Sequence, residues 1–245
     1  QAYGIEVKMR QIVHFGLGNF ARAHLLDYTA DAGGDWQVIG VNLRSSTTRD
    51  GLAAQDYAYA LKIQGVGVKQ IAVINTILLA SEGQQPILQA MATADIISAT
   101  VTEKGYHLDQ HGQLDLQDPV IAADLTGPPL RSLIGFIAHD LAQRDRPVTI
   151  LSCDNRPGNG DALRQAVQQF AQAAHLTIDW SLARFPNAMV DRITPATTAL
   201  LRQECNDPMA VPTEAFRAWV IEDCFAGPRP DWPDVQFVQD VRPYE

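Results

Sequence analysis

A glycine turn near the start of the chain is the first feature whose residue types and spacing could do chemistry. The apolar run over residues 11–15 leads directly into Gly16-Leu-Gly18, and a helical pattern begins at Phe20. In a strand–turn–helix unit such glycines let backbone N–H groups approach the pyrophosphate of a dinucleotide, and Ala21 stands where the looser fingerprint accepts a small residue. A plain tight turn explains the same letters equally well, so both interpretations stay open.

The end of the second predicted strand, residues 37–43, carries no acidic residue. Dinucleotide folds usually present an Asp or Glu there, about 20 residues past the glycines, to the ribose hydroxyls. The segment Val41-Asn-Leu-Arg-Ser-Ser-Thr-Thr48 instead offers Arg44 among hydroxyl side chains, a combination able to accept a 2′-phosphate. A solvated loop arginine is the plainer interpretation of Arg44.

Polar clusters follow two further predicted strands. Thr102-Glu-Lys-Gly-Tyr106 comes after the strand over residues 95–100, and Ser152-Cys-Asp-Asn155 ends the strand over residues 148–152. Sites of open α/β sheets form at the carboxyl ends of strands, so Lys104 could line a phosphate or substrate and Asn155 could donate a hydrogen bond to an alkoxide or carbonyl oxygen. Residue types alone favour a plainer role, in which Asp154 and Asn155 cap the turn.

The elements that must position these clusters alternate between strand and helix. Strands are predicted over residues 11–15, 37–43, 57–63, 68–74, 95–100 and 148–152, and helices over residues 20–32, 84–91, 130–142 and 161–174. This alternation predicts an α/β fold with a Rossmann-type doubly wound, mostly parallel sheet covered by helices on both faces. The pair 57–63 and 68–74 is predicted to form a hairpin inserted at a sheet edge.

Beyond Phe185 the periodic pattern gives way to short, proline-rich pieces. The prolines that interrupt this region are Pro208, Pro212, Pro228, Pro230, Pro233 and Pro243. We expect residues 1–245 to form one nucleotide-binding domain whose proline-rich C-terminal extension crosses the surface towards a further domain.

Composition narrows the class of protein. The 245 residues carry a formal charge of −9, which disfavours nucleic acid and anionic membrane surfaces as partners. Three scattered cysteines indicate neither a disulfide framework nor a zinc ribbon, and a reducing cytoplasm is expected. No apolar stretch approaches the roughly 20 residues of a membrane helix, and the start at Gln1 is expected to be a trimmed N-terminus rather than a signal peptide.

Sequence patterns of two other enzyme classes are not found. No H-E-x-x-H motif calls for zinc, and no G-x-S-x-G motif supports a serine hydrolase, so no metal is predicted. His14 lies inside the first strand and is predicted to be a satisfied core or turn residue, whereas His24 on the first helix is ambiguous.

Several separated motifs occur in the order of one known family. They are Ile12-Val-His-Phe-Gly-Leu-Gly-Asn-Phe-Ala-Arg-Ala-His24, Val101-Thr-Glu-Lys-Gly-Tyr106, Ser152-Cys-Asp-Asn155 with Asn159-Gly160, Phe185-Pro-Asn-Ala-Met-Val-Asp-Arg-Ile-Thr-Pro195, Trp219-Val-Ile-Glu-Asp223 and Pro243-Tyr-Glu245. With these motifs the chain resembles, nearly end to end, the mannitol dehydrogenase family of polyol-specific long-chain dehydrogenases, which includes fructuronate and tagaturonate reductases.

The resemblance implies a Rossmann-type domain followed by a mostly helical domain that is absent from these residues, with the active site between the two. It implies hydride transfer between NAD or NADP and a sugar alcohol or sugar acid, of the mannitol/fructose or mannonate/fructuronate type, with no metal. Asn155 would hydrogen-bond the reacting oxygen, Asp191 would support the site beside it, and Glu245 would belong to the proton path. A catalytic lysine is expected beyond Glu245.

The implied cofactor-binding residues are Gly16, Gly18, Asn19, Phe20, Arg44 and Thr102. Asn19 and Ala21 depart from the family's usual small or glycine residue and histidine in the first turn. Arg44-Ser-Ser-Thr47 stands where NAD-preferring members resemble Arg-Ser-Glu-Asp, so the sequence leaves NAD and NADP open.

Two alternatives to this enzyme are considered. One is a non-catalytic nucleotide-binding module or truncated paralogue, and the other is a generic Rossmann domain with another substrate. Retention of Asn155, Asp191 and Glu245 favours the enzyme, because a nucleotide sensor needs no side chains that handle an alcohol.

Overall fold

The computed structural model describes residues 9–245, and strands alternate with helices through most of this range. The strands are β1 (Arg10–Phe15), β2 (Trp36–Asn42), β3 (Tyr59–Ile63), β4 (Gly67–Ile71), β5 (Ile74–Leu79), β6 (Ile96–Ala99), β7 (Val148–Ser152), β8 (Ala183–Arg184), β9 (Ala188–Asp191), β10 (Val211–Thr213), β11 (Ala218–Glu222) and β12 (Gln236–Val238). The α-helices are α1 (Asn19–Ala23), α2 (Leu25–Ala32), α3 (Thr47–Ala53), α4 (Gln85–Thr93), α5 (Pro119–Thr126), α6 (Leu133–Gln143), α7 (Asn159–Ala173) and α8 (Ala199–Cys205). Short 3₁₀ turns cover Ala80–Glu82, Glu103–Tyr106, Trp180–Leu182 and Arg242–Tyr244.

The main sheet has the order β5-β2-β1-β6-β7-β8, and each neighbouring pair in it is parallel. The chain runs outwards from β1 in one direction through β2 and β5, and in the other through β6 and β7. The strand order therefore reverses between β1 and β6, and ligands of open α/β sheets bind at such a reversal, outside the carboxyl ends of the strands. The predicted Rossmann-type parallel sheet is confirmed.

Alternate residues of the central strands face opposite sides of the sheet, and both sides are covered. Phe15 of β1 packs against Phe136 of α6, with ring centroids 5.7 Å apart. Ile12 of the same strand belongs to a second core cluster that contains Leu26 of α2. Because both faces are buried, β6 and β7 read as continuous buried runs rather than alternating ones. Helices on both faces were predicted, and this is confirmed.

The predicted hairpin exists, but its position differs from the prediction. β3 and β4 pair antiparallel, and together with β10 they form a separate three-stranded sheet instead of extending the edge of the main sheet. At one edge the main sheet ends with β5. The predicted strand over residues 68–74 extended to the first residue of β5 and did not distinguish β5 from β4. The burial of β5 alternates because it is an edge strand, so it lacks the continuous apolar signal of the central strands.

The predicted helix over residues 20–32 is divided at His24, whose backbone (φ −120°, ψ −83°) is not helical. The ring of His24 is fully buried and lies 5.1 Å, centroid to centroid, from each of Phe20, Tyr28 and Trp219. The helical stretch ends at Gly33, which takes a positive φ of 61° as a C-terminal glycine commonly does.

The segment after Phe185 contains strands that its proline-rich sequence did not predict. β9, β11 and β12 form a three-stranded sheet, and Trp219 and Trp232 are buried in the same cluster as Leu26. The prolines separate strands of only three to five residues, which are too short for an alternating pattern to be recognised. Among residues 9–245, none of the helices is both long and apolar enough to cross a membrane.

Candidate cofactor cleft and active site

The glycine turn after β1 is set by the neighbouring strand β6. Gly16 has a φ of +85°, and a Cβ there would collide with the carbonyl oxygen of Thr100. The hydroxyl of Thr100 donates to the carbonyl oxygen of Gly16 over 2.7 Å. Gly18 is different, because a Cβ on it would meet nothing closer than the Gly16 oxygen at 4.0 Å. The first glycine is therefore required by packing, whereas the second leaves open space above the turn.

The buried ring of His14 stabilises this turn through hydrogen bonds. Its Nδ1 lies 2.8 Å from Ser98 Oγ and its Nε2 lies 2.9 Å from Thr100 Oγ1. Since the Thr100 proton goes to Gly16, Nε2–H donates to Thr100 and Nδ1 accepts from Ser98. Burial lowers the pKa of His14 from 6.5 to about 3, so the ring is neutral. The prediction of a satisfied core histidine is confirmed.

The first turn of α1 starts without a side-chain cap, which leaves its leading N–H groups available to a ligand. The side chains around the turn are held in place. Asn42 at the end of β2 accepts from the backbone nitrogen of Leu17 over 3.1 Å, and Asn19 accepts from Arg22 over 2.7 Å.

A cavity of about 390 Å³ opens at the carboxyl ends of β1, β2 and β6. Four of the predicted cofactor-binding residues line it: Gly16, Gly18, Arg44 and Thr102. Its other lining residues are Leu17, Asn42, Leu43, Ser45, Thr48, Val101, Lys104, Gly105, His107 and Arg131. We call this space the adenosine-side cavity, because it surrounds the end of β2.

A second cavity of about 330 Å³ continues from the first. It shares Gly16, Gly18 and Thr102 with the adenosine-side cavity and adds Asn19 and Phe20, so the structure brings all six predicted cofactor-binding residues to one connected surface. Its far side is formed by Thr100, Cys153, Asp154 and Asn155. We call it the central cavity.

A third cavity of about 350 Å³, the catalytic-side cavity, brings together Asn155, Asp191 and Glu245. Asn155 lines both this space and the central cavity. Glu245 accepts a hydrogen bond from the backbone nitrogen of Gly158 over 2.7 Å. Asp191 is exposed at the end of β9, while its neighbour Arg192 points into the core and contacts Asp27. The three residues named from the resemblance are thus placed side by side.

Asn159 explains how Asn155 and Asp191 come to face one cavity, a role that the sequence did not suggest. Its amide nitrogen donates to the carbonyl oxygens of Asp154 and Ala188 over 3.0 and 2.8 Å, and its oxygen accepts from the backbone nitrogen of Ala188 over 2.9 Å. These bonds join the turn after β7 to the start of β9.

Gly160 allows the same approach, because a Cβ there would collide with the carbonyl oxygens of residues 185 and 186. The Asn159-Gly160 pair was part of the recognised motif, and its spacing next to Asn155 is the signal that could have revealed a positioning role.

Asp154 does not cap its own turn, contrary to the plainer interpretation. Its carboxylate accepts from the backbone nitrogens of Thr102 and Val101 over 2.8 and 3.2 Å and from the hydroxyl of Tyr106 over 3.0 Å. The Tyr106 hydroxyl also contacts Ser152 Oγ. Nor does Asn155 cap the next helix, since Gly158 is the N-cap residue of α7 and no side chain caps that helix.

The environment of Asp154 gives this carboxyl group a structural task. Burial raises its pKa, while the bonds from the Thr102 and Val101 amides and from Tyr106 act in the opposite direction. Thr102 has a positive φ of 64°, so the carboxylate holds a strained backbone at the edge of the cofactor cleft.

Over residues 9–245, no group of three or more His, Cys, Asp or Glu side chains is placed to hold a metal ion. The row of cavities joins the glycine turn and the uncapped start of α1 to an amide and two carboxylates. Such a row can hold a dinucleotide at one end and orient a small hydroxylated molecule at the other.

Comparison with known proteins agrees with this description. The family model described as "Mannitol dehydrogenase Rossmann domain" matches residues 10–234. A mannitol 2-dehydrogenase of Phaeosphaeria nodorum is 38% identical and matches 96% of this chain and 46% of its own length. A D-mannonate oxidoreductase of Escherichia coli is 39% identical, with 96% and 54% covered.

Two solved structures share the fold closely. The Pseudomonas fluorescens mannitol 2-dehydrogenase, in a ternary complex with NAD and D-mannitol, has a TM-score of 0.89 at 38% identity and covers 97% of this chain and 55% of its own. A D-sorbitol dehydrogenase in substrate-free form has a TM-score of 0.87 at 32% identity, with 95% and 54% covered.

The chain spans about half the length of these relatives. The family match nevertheless covers most of the chain, and the resemblance drawn from the motifs is confirmed. This chain belongs to the mannitol dehydrogenase family, and the part that matches is the family's Rossmann domain.

Proposed function

We propose that this chain is the NAD(P)-binding part of an oxidoreductase that transfers a hydride between a nicotinamide cofactor and a secondary alcohol carbon of a sugar alcohol or sugar acid. The observation that carries the proposal is the continuous row of cavities from the glycine turn to Asn155, Asp191 and Glu245. The printed names of the relatives suggest mannitol/fructose or mannonate/fructuronate as the substrate pair.

The dinucleotide would occupy the first two cavities. Gly18 leaves space for a pyrophosphate, and the uncapped first turn of α1 supplies N–H donors to it. The adenosine half would lie near Arg44, and the nicotinamide would lie in the central cavity beside Asn155. When bound, the cofactor accepts or gives the hydride.

The substrate would occupy the catalytic-side cavity, and three of the polar residues there have proposed roles. The side-chain amide of Asn155 would donate to the reacting oxygen and stabilise negative charge on it. Asp191 would hold the substrate or the neighbouring donor in place, and the Glu245 carboxylate would pass a proton between the site and solvent. Among the described residues, none that lines this cavity is a lysine or histidine. We propose that the general base is the lysine that the family pattern implies beyond Glu245.

The same proposal extends to organisation and compartment. Residues 1–245 are proposed to act as one nucleotide-binding domain with its proline-rich extension, working with a second, helical part of the protein. The cytoplasm is the proposed compartment, which fits the three free cysteines of the described chain.

The test is steady-state kinetics on the protein in its full natural length. NADH and NADPH oxidation would be followed with D-fructose and D-fructuronate, and cofactor reduction with D-mannitol and D-mannonate. Asn155→Ala is expected to lower kcat by about 10²–10³-fold, as removal of an oxyanion donor does, with cofactor affinity kept.

Asn75→Ala is the matched control, because this amide is exposed on β5 and bonds only Gln37. It should leave kcat unchanged. Cofactor binding without turnover of either substrate pair would point to a nucleotide-binding module and overturn the enzymatic role.

A further inference from the structure

The adenosine-side cavity is positively charged within an acidic chain. Arg44, Lys104 and Arg131 line it, and no Asp or Glu of residues 9–245 does. Within that described range these three side chains take part in no ion pair closer than 4.0 Å, although the formal charge of the chain is −9. Uncompensated cations around one concave space indicate a site for an anionic group.

The carboxylate that would recognise an unmodified adenosine ribose is missing from this cavity. NAD-binding sites place an Asp or Glu at the end of the second strand, where it binds the 2′-hydroxyl and repels a 2′-phosphate. Here β2 ends at Asn42, whose side-chain oxygen is already engaged by the Leu17 nitrogen.

The nearest acidic residue along the chain does not take over this role. Asp50 of α3 is held by Arg49 over 2.6 Å and lies outside the cavity lining. A phosphate that enters the adenosine-side cavity beside Arg44 therefore meets no carboxylate among the described residues that line it. Glu103, Asp115 and Asp118 line a neighbouring cavity that Arg44 also borders.

Two hydroxyl side chains complete the subsite, and that of Ser45, which donates to Thr47 Oγ1 over 3.0 Å, would turn towards the phosphate. Ser45 and Thr48 line the same cavity as Arg44, and Arg44 stands two residues past the end of β2. An exposed guanidinium with adjacent hydroxyls provides several donors to a phosphate, and arginine–phosphate bonds are among the stronger charge-assisted hydrogen bonds. We propose that this cavity binds the adenosine 2′-phosphate through Arg44, Ser45 and Thr48, and that the protein selects NADP(H) over NAD(H). This inference rests on the proposed dinucleotide-binding function.

The experiment compares ligands that differ only in the 2′-phosphate. The full natural-length protein would be titrated with NADPH and NADH by fluorescence, and with adenosine 2′,5′-bisphosphate and 5′-AMP by calorimetry. Because a hydrogen bond to a charged group contributes about 1.5–3 kcal/mol, the phosphorylated ligand of each pair should bind about 10- to 100-fold more tightly.

Variants assign the preference to the subsite. Arg44→Gln should lower the affinity for NADPH at least about tenfold, while the affinity for NADH changes less than about twofold. Ser45→Asp adds the missing carboxylate and should turn the preference towards NADH. Arg49→Gln is the matched control, because this arginine lies five residues away, is paired with Glu82 and does not line the cavity. It should leave the NADPH/NADH ratio unchanged.

Each contrary outcome has a separate meaning. Equal or tighter binding of NADH would overturn the selectivity and leave the dinucleotide site intact. An equal loss of affinity for NADPH and NADH in Arg44→Gln, with an unchanged thermal unfolding temperature, would show that Arg44 does not recognise the 2′-phosphate. If neither cofactor binds the unmodified protein, both this inference and the proposed function fail.

Discussion

The carboxylate of Asp154 lies 2.8 Å from the backbone nitrogen of Thr102 and thereby joins the end of β7 to the loop that follows β6. Thr102 lines the adenosine-side and central cavities, and Asn155 follows Asp154 directly at the catalytic-side cavity. One buried carboxylate thus fixes the distance between the two ends of the proposed site.

Replacing Asp154 by asparagine should loosen this connection. Asp154→Asn keeps the shape but turns one acceptor into a donor that faces a backbone N–H, so the free energy of unfolding should fall by about 1–3 kcal/mol. Cofactor affinity should fall with it, because the strained Thr102 backbone loses its acceptor. Urea unfolding and cofactor titration measure the two effects.

Asp223→Asn is the control for Asp154→Asn. The side chain of Asp223 is exposed and pairs with Arg229 at 3.4 Å, so its replacement should change stability by no more than about 1 kcal/mol. An Asp154→Asn protein with normal stability and normal cofactor affinity would refute the positioning role.

The two glycines of the turn should respond differently to alanine. Gly16→Ala introduces both a positive-φ strain and a collision with Thr100, so it should destabilise the fold by about 2 kcal/mol or more. Gly18→Ala has an ordinary φ of −98° and no close neighbour, so stability should stay near that of the unmodified protein. Its methyl group would occupy the pyrophosphate space, and dinucleotide affinity should fall at least about tenfold. Unchanged affinity in Gly18→Ala would place the pyrophosphate elsewhere.

Buried histidines should make stability depend on pH. Burial lowers the pKa of His14 from 6.5 to about 3 and that of His24 from 6.5 to about 4. As the pH falls below 6.5 the unfolded chain takes up protons that the native rings refuse, so stability is full above that pH and is lost towards pH 4. The slope is at most about 1.4 kcal/mol per pH unit for each ring.

Urea unfolding at about pH 7, 6 and 5 would measure this slope. His24→Gln should lower stability at neutral pH but reduce the pH dependence, whereas His175→Asn, at an exposed position, should leave the dependence unchanged. If the free energy of unfolding of His24→Gln depends on pH as steeply as that of the unmodified protein, His24 does not contribute to the pH dependence.

A buried ion cluster should hold the segment after β9 to α2. Asp27 is 1% exposed and accepts from Arg192 over 2.5 Å, from Arg217 over 2.7 Å and from Lys69 over 2.6 Å. Asp27→Ala leaves the buried Arg192 without its anion and should cost about 3–5 kcal/mol of unfolding free energy. Asp31→Ala removes only the more exposed partner of Lys69 and Arg217 and should cost about 1 kcal/mol or less. Similar losses of unfolding free energy in the two variants would show that burial of the carboxylate does not determine its contribution to stability.

The central part of the fold could be predicted because its signals are local. β1, β6 and β7 are short apolar runs that end in polar clusters, and the glycine turn after β1 stands where the chain must change from strand to helix. The same rule placed Thr102 and Asn155 at one edge of the sheet, and the structure brings both to the central cavity.

The remainder depended on contacts between distant residues. β11 pairs with β9 and β12, and its Trp219 packs against Tyr28 and Trp232. A segment of five residues gives no local signal of such distant contacts. Asp154 was interpreted as a cap because its true partners, Val101 and Thr102, lie more than 50 residues earlier in the chain. Asp191 and Glu245 came from the family resemblance, since residue spacing does not reveal that they share a cavity with Asn155.

A crystal structure of the full natural-length protein with a bound dinucleotide and a polyol or sugar acid would test the proposed site most directly. We predict that the pyrophosphate lies over Gly16–Gly18, that the nicotinamide ring lies in the central cavity, and that the reacting oxygen of the substrate lies within hydrogen-bond distance of the Asn155 amide. A dinucleotide bound away from the glycine turn, or a substrate oxygen out of reach of Asn155, would contradict this prediction.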